Sequence, residues 1–144
     1  MLADRIEGKW IDAFEAVFKL CKVAAGETVA ILSETQSRTL NVHIAELALD
    51  RMGANWFHVT VPTPRQDAPV PVRSTGASAA LGGQKAAVAA LKESALVVDL
   101  TVEGLLHAPE LPEIISGGAR ILMISNEHPE ALERLLPQTR DEPR

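Results

Sequence analysis

Cysteine occurs once, at Cys21, and tyrosine not at all. A lone cysteine cannot form an internal disulfide, so a reduced, cytoplasmic setting is the expectation. Aromatic residues make up only 3% of the chain, and the core must therefore be built from Val, Ile, Leu and Ala. No apolar run approaches the roughly 20 residues that a membrane-spanning helix needs. The opening M-L-A-D-R-I-E-G-K lacks the basic flank and apolar run of a secretory signal. Positive charge is not in excess either. Lys and Arg number 14 against 19 Asp and Glu, a net −5, which argues against nucleic acid as the main partner. Glycine-rich phosphate loops are missing: neither G-x-G-x-x-G nor a Walker-type G-K-[ST] occurs, so NAD, FAD and P-loop NTP chemistry are not expected. The four histidines, His43, His58, His107 and His128, form no H-x-x-x-H or H-E-x-x-H, and no cysteine pair exists, so no metal site is expected within this chain. No G-x-S-x-G marks a serine nucleophile.

What remains is a chain of 144 residues, 47% of them apolar, enough for one domain with its own core. The expected domain is residues 1–137, followed by a polar tail, 138–144, that should fray. Asp4 to Val23 places Ile6, Trp10, Ile11, Phe14, Val17, Phe18 and Cys21 at helical spacing, with Cys21 as a buried, inert thiol. Thr28 to Leu32 is an all-apolar run, the mark of an interior parallel strand. The polar loop Ser33–Arg38 leads into a helix from about Thr39 to Met52. Thr35 or Ser37 is the expected cap, Leu40, Ile44, Leu47, Ala48 and Met52 are expected to face inward, and Gly53 is a C-cap. Asn55 to Val61 alternates as an edge strand would.

A proline-dense excursion, Pro62 to Gly76, then interrupts regular structure. Ala77 to Lys92 reads as a helical region broken near Gly82 and Gly83, with Ala86, Ala87, Ala90 and Leu91 toward the sheet. Leu96, Val97 and Val98 form a second doubly buried strand, ending at Asp99. Pro109 to Ile115 reads as a short helix with Pro109 in its first turn. Arg120 to Ser125 reads as a fourth buried strand, and Pro129 to Leu136 as a last helix with Asn126 or His128 near its start. Alternating strands and helices imply an α/β, three-layer Rossmann-like domain whose mostly parallel four-stranded sheet has the order 2-1-3-4. In that order the winding reverses between strands one and three. The loops Ser33–Arg38 and Thr101–His107 then meet in a crevice at the switch point.

His107 lies at that edge. Histidine exchanges a proton near neutral pH, with an unperturbed pKa of roughly 6.5, and Leu105 and Leu106 beside it would suit an apolar planar ligand carrying an ionisable hydroxyl. The competing reading is a helix-start histidine bonded to backbone. His43 and His58 read as structural residues and His128 as part of a cap. Asp99 and Glu103 are the nearest acids, and an aspartate that ends a strand more often bonds loop backbone.

The segments A-L-V-V-D-L, L-L-H-A-P-E, G-A-R-I-L-M and H-P-E-A-L-E-R-L-L-P, with R-T-L-N-V-H-I-A-E-L-A and G-G-Q-K-A-A-V-A-A-L upstream, resemble the 2,5-dihydroxypyridine 5,6-dioxygenases, relatives of the aminopeptidase T-like metalloenzymes. The resemblance spans almost the whole chain but only the family's amino-terminal domain. It implies an α/β layer beside a larger carboxyl-terminal catalytic domain that holds Fe(II) in the dioxygenases or a metal pair in the peptidases. It implies that Leu106 and His107 contribute to the substrate pocket, His107 as a proton-handling contact to the ring hydroxyl. The implied partners are a small aromatic substrate, the catalytic domain and further copies of the chain in a homo-oligomer. Because the chain stops at Arg144, a truncated piece or a stand-alone relative without the chemistry is expected. The alternatives are the amino-terminal domain of an aminopeptidase T-type peptidase and a non-catalytic Rossmann-like binding module.

Overall fold

A computed structural model describes residues 7–65 and 76–130. Its elements run α1 (Gly8–Leu20), β1 (Thr28–Glu34), α2 (Thr39–Met52), β2 (Asn55–Val61), α3 (Lys85–Lys92), β3 (Leu96–Asp99), α4 (Leu111–Ser116) and β4 (Arg120–Met123). The four strands are parallel and ordered β2-β1-β3-β4, the order the alternating pattern implies. Val29 pairs in register with Leu96, and Leu32 with Asp99.

Successive strand residues point to opposite faces, and this divides the core in two. Val29, Ile31, Leu96 and Val98 pack under α1 and α2 with Trp10, Phe14, Phe18, Ile44 and Leu49. Ala30, Leu32 and Val97 pack on the other face with Leu81, Val88, Leu91 and Ile114. The central strands carry apolar residues on both faces because both faces are covered. No helix among the described residues is long and apolar enough to cross a membrane.

Several local expectations change. Arg120 to Met123 is an edge strand and only half buried, because no fifth strand pairs with it among the described residues. Leu47 is 41% exposed. The buried stripe of α2 is Leu40, Asn41, Ile44, Ala45, Ala48 and Leu49, one position round from the stripe expected. Ala86 is exposed, and Val88 and Leu91 are the buried residues of α3, which begins only after turns over 80–83. Pro109 precedes the α4 helix, and Pro112 occupies its first turn. Neither Thr35 nor Ser37 caps α2. The Arg38 N–H at its start donates instead to Asn126 Oδ1 at 2.9 Å, and Asn41 Nδ2 donates to the Glu127 carbonyl at 2.7 Å. The loop after β4 thus closes the start of α2. The same loop meets α1, where the Trp10 and His128 rings pack edge to face. His128 Nδ1 accepts from the Glu130 N–H, as a capping residue does. The helix expected over Pro129 to Leu136 lies outside the described residues from 131 onward, as do the tail and most of the proline-dense excursion.

Two glycines with the same left-handed backbone separate strain from crowding. Gly26 (φ +87°) has open space where a Cβ would stand, whereas at Gly104 (φ +86°) a Cβ would lie 2.7 Å from Ser125 Oγ. Gly26→Ala should cost about 1–2 kcal/mol, the left-handed penalty alone. Gly104→Ala should cost about 2–5 kcal/mol, since overpacking adds to it. Urea unfolding checks both, and equal losses would mean that the 101–107 loop is not held against Ser125.

Candidate functional site

β1 and β3 both end in acids, and both acids are buried: Glu34 is 4% exposed and Asp99 is fully covered. Asp99 bends the chain after β3 around its carboxylate. Oδ1 accepts from the Thr101 N–H at 2.9 Å and from Thr101 Oγ1 at 2.6 Å, and Oδ2 accepts from the Leu105 N–H at 2.9 Å. Glu34 reaches across from β1, where Oε2 accepts from the Val102 N–H at 2.8 Å. Ser37 Oγ donates to the Leu100 carbonyl at 2.6 Å. The two loops that the topology brings together are therefore bonded to each other. A third segment joins them, as the Gly76 and Ser78 N–H groups donate to the Glu103 and Gly104 carbonyls, and the His107 N–H donates to the Gly76 carbonyl.

These loops bound a cleft of about 530 Å³ at the switch point. Glu34, Thr35, Gln36, Thr63, Ser78 and Asn126 supply its polar wall, and Pro64, Ala79 and Val102 its apolar one; Glu103 completes it. Thr63 Oγ1 accepts from the Gln36 N–H at 2.8 Å and from Thr35 Oγ1 at 3.1 Å, which fixes that rim. A cleft at the carboxyl ends of parallel strands, where winding reverses, is where open α/β sheets receive ligands.

The three residues singled out in L-L-H separate. Leu105 is fully buried and belongs to the core under α3 and α4. Leu106 is 56% exposed. His107 is exposed beside it, packed so closely over Gly76 that a Cβ there would lie 3.2 Å from His107 Cδ2. None of the three lines the 530 Å³ cleft. The other histidines lie elsewhere. His43 is exposed on α2, and His58 Nε2 pairs with Glu46 Oε2 at 2.8 Å. Cys21 is half buried, and burial pushes its thiol above the ordinary value, as befits an inert side chain.

Glu34, Thr63, Ser78 and Asn126 escaped the sequence reading. Glu34 carried a signal, an acid closing an apolar run as Asp99 does, but it was assigned to the loop. Thr63 sits in the proline-dense stretch, and Ser78 and Asn126 sit among turn residues. No local pattern separates them from ordinary loop polarity.

Among the described residues, no three His, Cys, Asp or Glu side chains converge to hold a metal. These residues do not fit an iron site.

Fold and cleft define a doubly wound α/β domain with a cleft at its switch point. The chain belongs to the NicX family, 2,5-dihydroxypyridine 5,6-dioxygenase, which it matches over residues 9–144. It is 36% identical over 133 residues to the 2,5-dihydroxypyridine 5,6-dioxygenase of Pseudomonas putida KT2440, covering 91% of this chain and 37% of that protein. A solved structure of 2,5-dihydroxypyridine dioxygenase from the same organism superposes with a TM-score of 0.77 at 35% identity, over 88% of this chain and 36% of that one. The chain thus spans little more than a third of the length of these relatives.

Asp99 makes folding depend on pH. Burial, reinforced by the nearby Glu34 charge, pushes its carboxyl above the ordinary range despite the hydrogen bonds from Thr101 and Leu105. The folded state therefore holds this proton at a pH where the unfolded chain, near 3.9, has released it. The contribution is complete below that unfolded value and is lost as pH rises through the folded one. Urea unfolding at stepped pH should show this loss in the native chain. In Asp99→Asn that part of the slope should vanish, and a slope that persists would assign it to other groups.

Proposed function

We propose that this chain forms the amino-terminal, substrate-side domain of a ring-opening dioxygenase that acts on a hydroxylated pyridine or a related small aromatic. The observation that carries the reading is the 36% identity over 133 residues to an enzyme of that name, supported by the TM-score of 0.77 to its solved structure. The iron that would activate O2 belongs to the further length those relatives possess, since the described residues offer no ligand set for it. A chain whose one cysteine is half buried and free suits a reducing, cytoplasmic compartment.

His107 takes the proton of the ring hydroxyl in this reading, and Leu106 lies against the ring. Both side chains are exposed at the carboxyl edge, where a second domain could cover them. The backbone of His107 is held by Gly76, and no other described residue bonds its imidazole. Leu105 acts indirectly. Its buried side chain and its N–H on Asp99 anchor the loop beneath the other two.

The test is a chimera in which this chain replaces the matching segment of the Pseudomonas putida enzyme. A folded, iron-loaded chimera should consume 2,5-dihydroxypyridine, followed by the loss of its absorbance. His107→Ala should lower kcat by roughly 10²–10⁴-fold, the usual weight of a general base. Unchanged turnover would remove His107 from the mechanism. A folded, loaded and inactive chimera would remove the domain assignment itself.

A further inference from the structure

The start of the helix after the first strand is where a doubly wound fold ordinarily receives phosphate or another anion, because free N–H groups and the helix dipole point there. In this chain a buried acid, Glu34, stands beside that position. The Arg38 N–H at the start of α2 is already bonded to Asn126 Oδ1, and the Arg38 guanidinium is turned to the Asn126 carbonyl, Nε donating at 3.3 Å. Glu34 stands in the wall of the adjoining 530 Å³ cleft, and among the described residues neither lysine nor arginine is part of that wall.

Glu34 is 4% exposed. Its Oε2 is occupied by the Val102 N–H, while Oε1 receives no hydrogen bond from the described residues and is not among their fully enclosed atoms. A carboxylate so far withdrawn from water interacts strongly with a donor that reaches it. Glu103 is a second acid in the same wall. Gln36, Thr63, Ser78 and Asn126 can receive or give further hydrogen bonds, while Pro64, Ala79 and Val102 offer an apolar surface for a ring or alkyl body.

We propose that the switch-point cleft is a binding site for a small organic nitrogen cation, an amidinium or amine, with Glu34 as its counter-charge. A carboxylate or phosphate entering this cleft would meet the buried Glu34 carboxylate. It is built wholly from this chain's residues and does not depend on the dioxygenase reading.

Three probes of one shape and different charge test it: benzamidine, benzamide and benzoate, titrated into the ¹⁵N-labelled 144-residue chain. Benzamidine should shift the amides of Gln36, Ser78 and Val102. It should bind about tenfold or more tightly than benzamide, the weight of a hydrogen bond gaining a charge, and benzoate should leave these amides unmoved. Glu34→Gln keeps an oxygen for the Val102 N–H and should weaken benzamidine by about tenfold or more. Ala79→Phe alters an exposed wall residue, so it should fill the cleft without disturbing the core and abolish the benzamidine shifts. Benzoate binding as well as benzamidine, or benzamide binding equally, would overturn the proposal. So would Ala79→Phe binding benzamidine like the parent chain, a result that stands even where Glu34→Gln fails to fold.

Discussion

A fully buried carboxylate sets the shape of the loops at the carboxyl ends of the strands. Stripping Asp99 of water costs several kcal/mol unless donors replace the lost solvation. The chain supplies those donors by curling back on itself, with two from Thr101 and one from the Leu105 N–H. Once the Leu105 amide is fixed on Asp99, its side chain falls into the core, and Leu106 and His107 emerge at the surface. The outward presentation of that leucine and histidine is thus a consequence of an aspartate seven and eight residues earlier. Breaking the arrangement would strand a buried charge as well as loosen a loop, so this edge of the sheet has few alternative conformations of comparable energy.

Glu34 extends the same constraint from one strand to the next. Its bond to Val102 locks the β1 loop to the β3 loop, and Asn126 and Glu127 lock the β4 loop to the start of α2. Three strand ends are therefore coupled through polar contacts, while the two faces of the sheet are covered by apolar packing. Exposed pairs such as Arg51 with Asp12 and Glu15 add little by comparison, because solvent screens them. Specificity of fold at this edge comes from buried donors and acceptors that match in one arrangement only.

This division explains what the sequence revealed. Thr28–Leu32 and Leu96–Val98 were legible as interior strands because burial on both faces leaves no polar position, and the order 2-1-3-4 followed from the alternation of elements. The position of the crevice followed from that order. Its chemistry did not, because Glu34, Thr63, Ser78 and Asn126 come from four separate segments, and only tertiary contact makes them neighbours. The cap of α2 was misplaced for the same reason, since its acceptor, Asn126, lies 88 residues away. Leu47 and β4 were misjudged because apolar composition was taken as burial, although folded proteins leave much apolar surface in contact with water. Leu105 shows the limit of adjacency: three neighbouring loop residues share a sequence but not a direction.

The same loop carries His107 at the surface. A histidine bonded through its ring to nearby backbone would have its tautomer and charge fixed by that bond. His107 instead gives its backbone N–H to Gly76, and its imidazole takes no hydrogen bond from the described residues. Gly76 is suited to lie beneath it, because its left-handed backbone (φ +74°) is one that side chains rarely adopt and a Cβ there would crowd both Leu106 and His107. The main chain beneath the ring is therefore fixed, and neither ring nitrogen is bonded to another of the described residues. Asp99, Glu34 and Gly76 thus fix the main chain on which this histidine is carried.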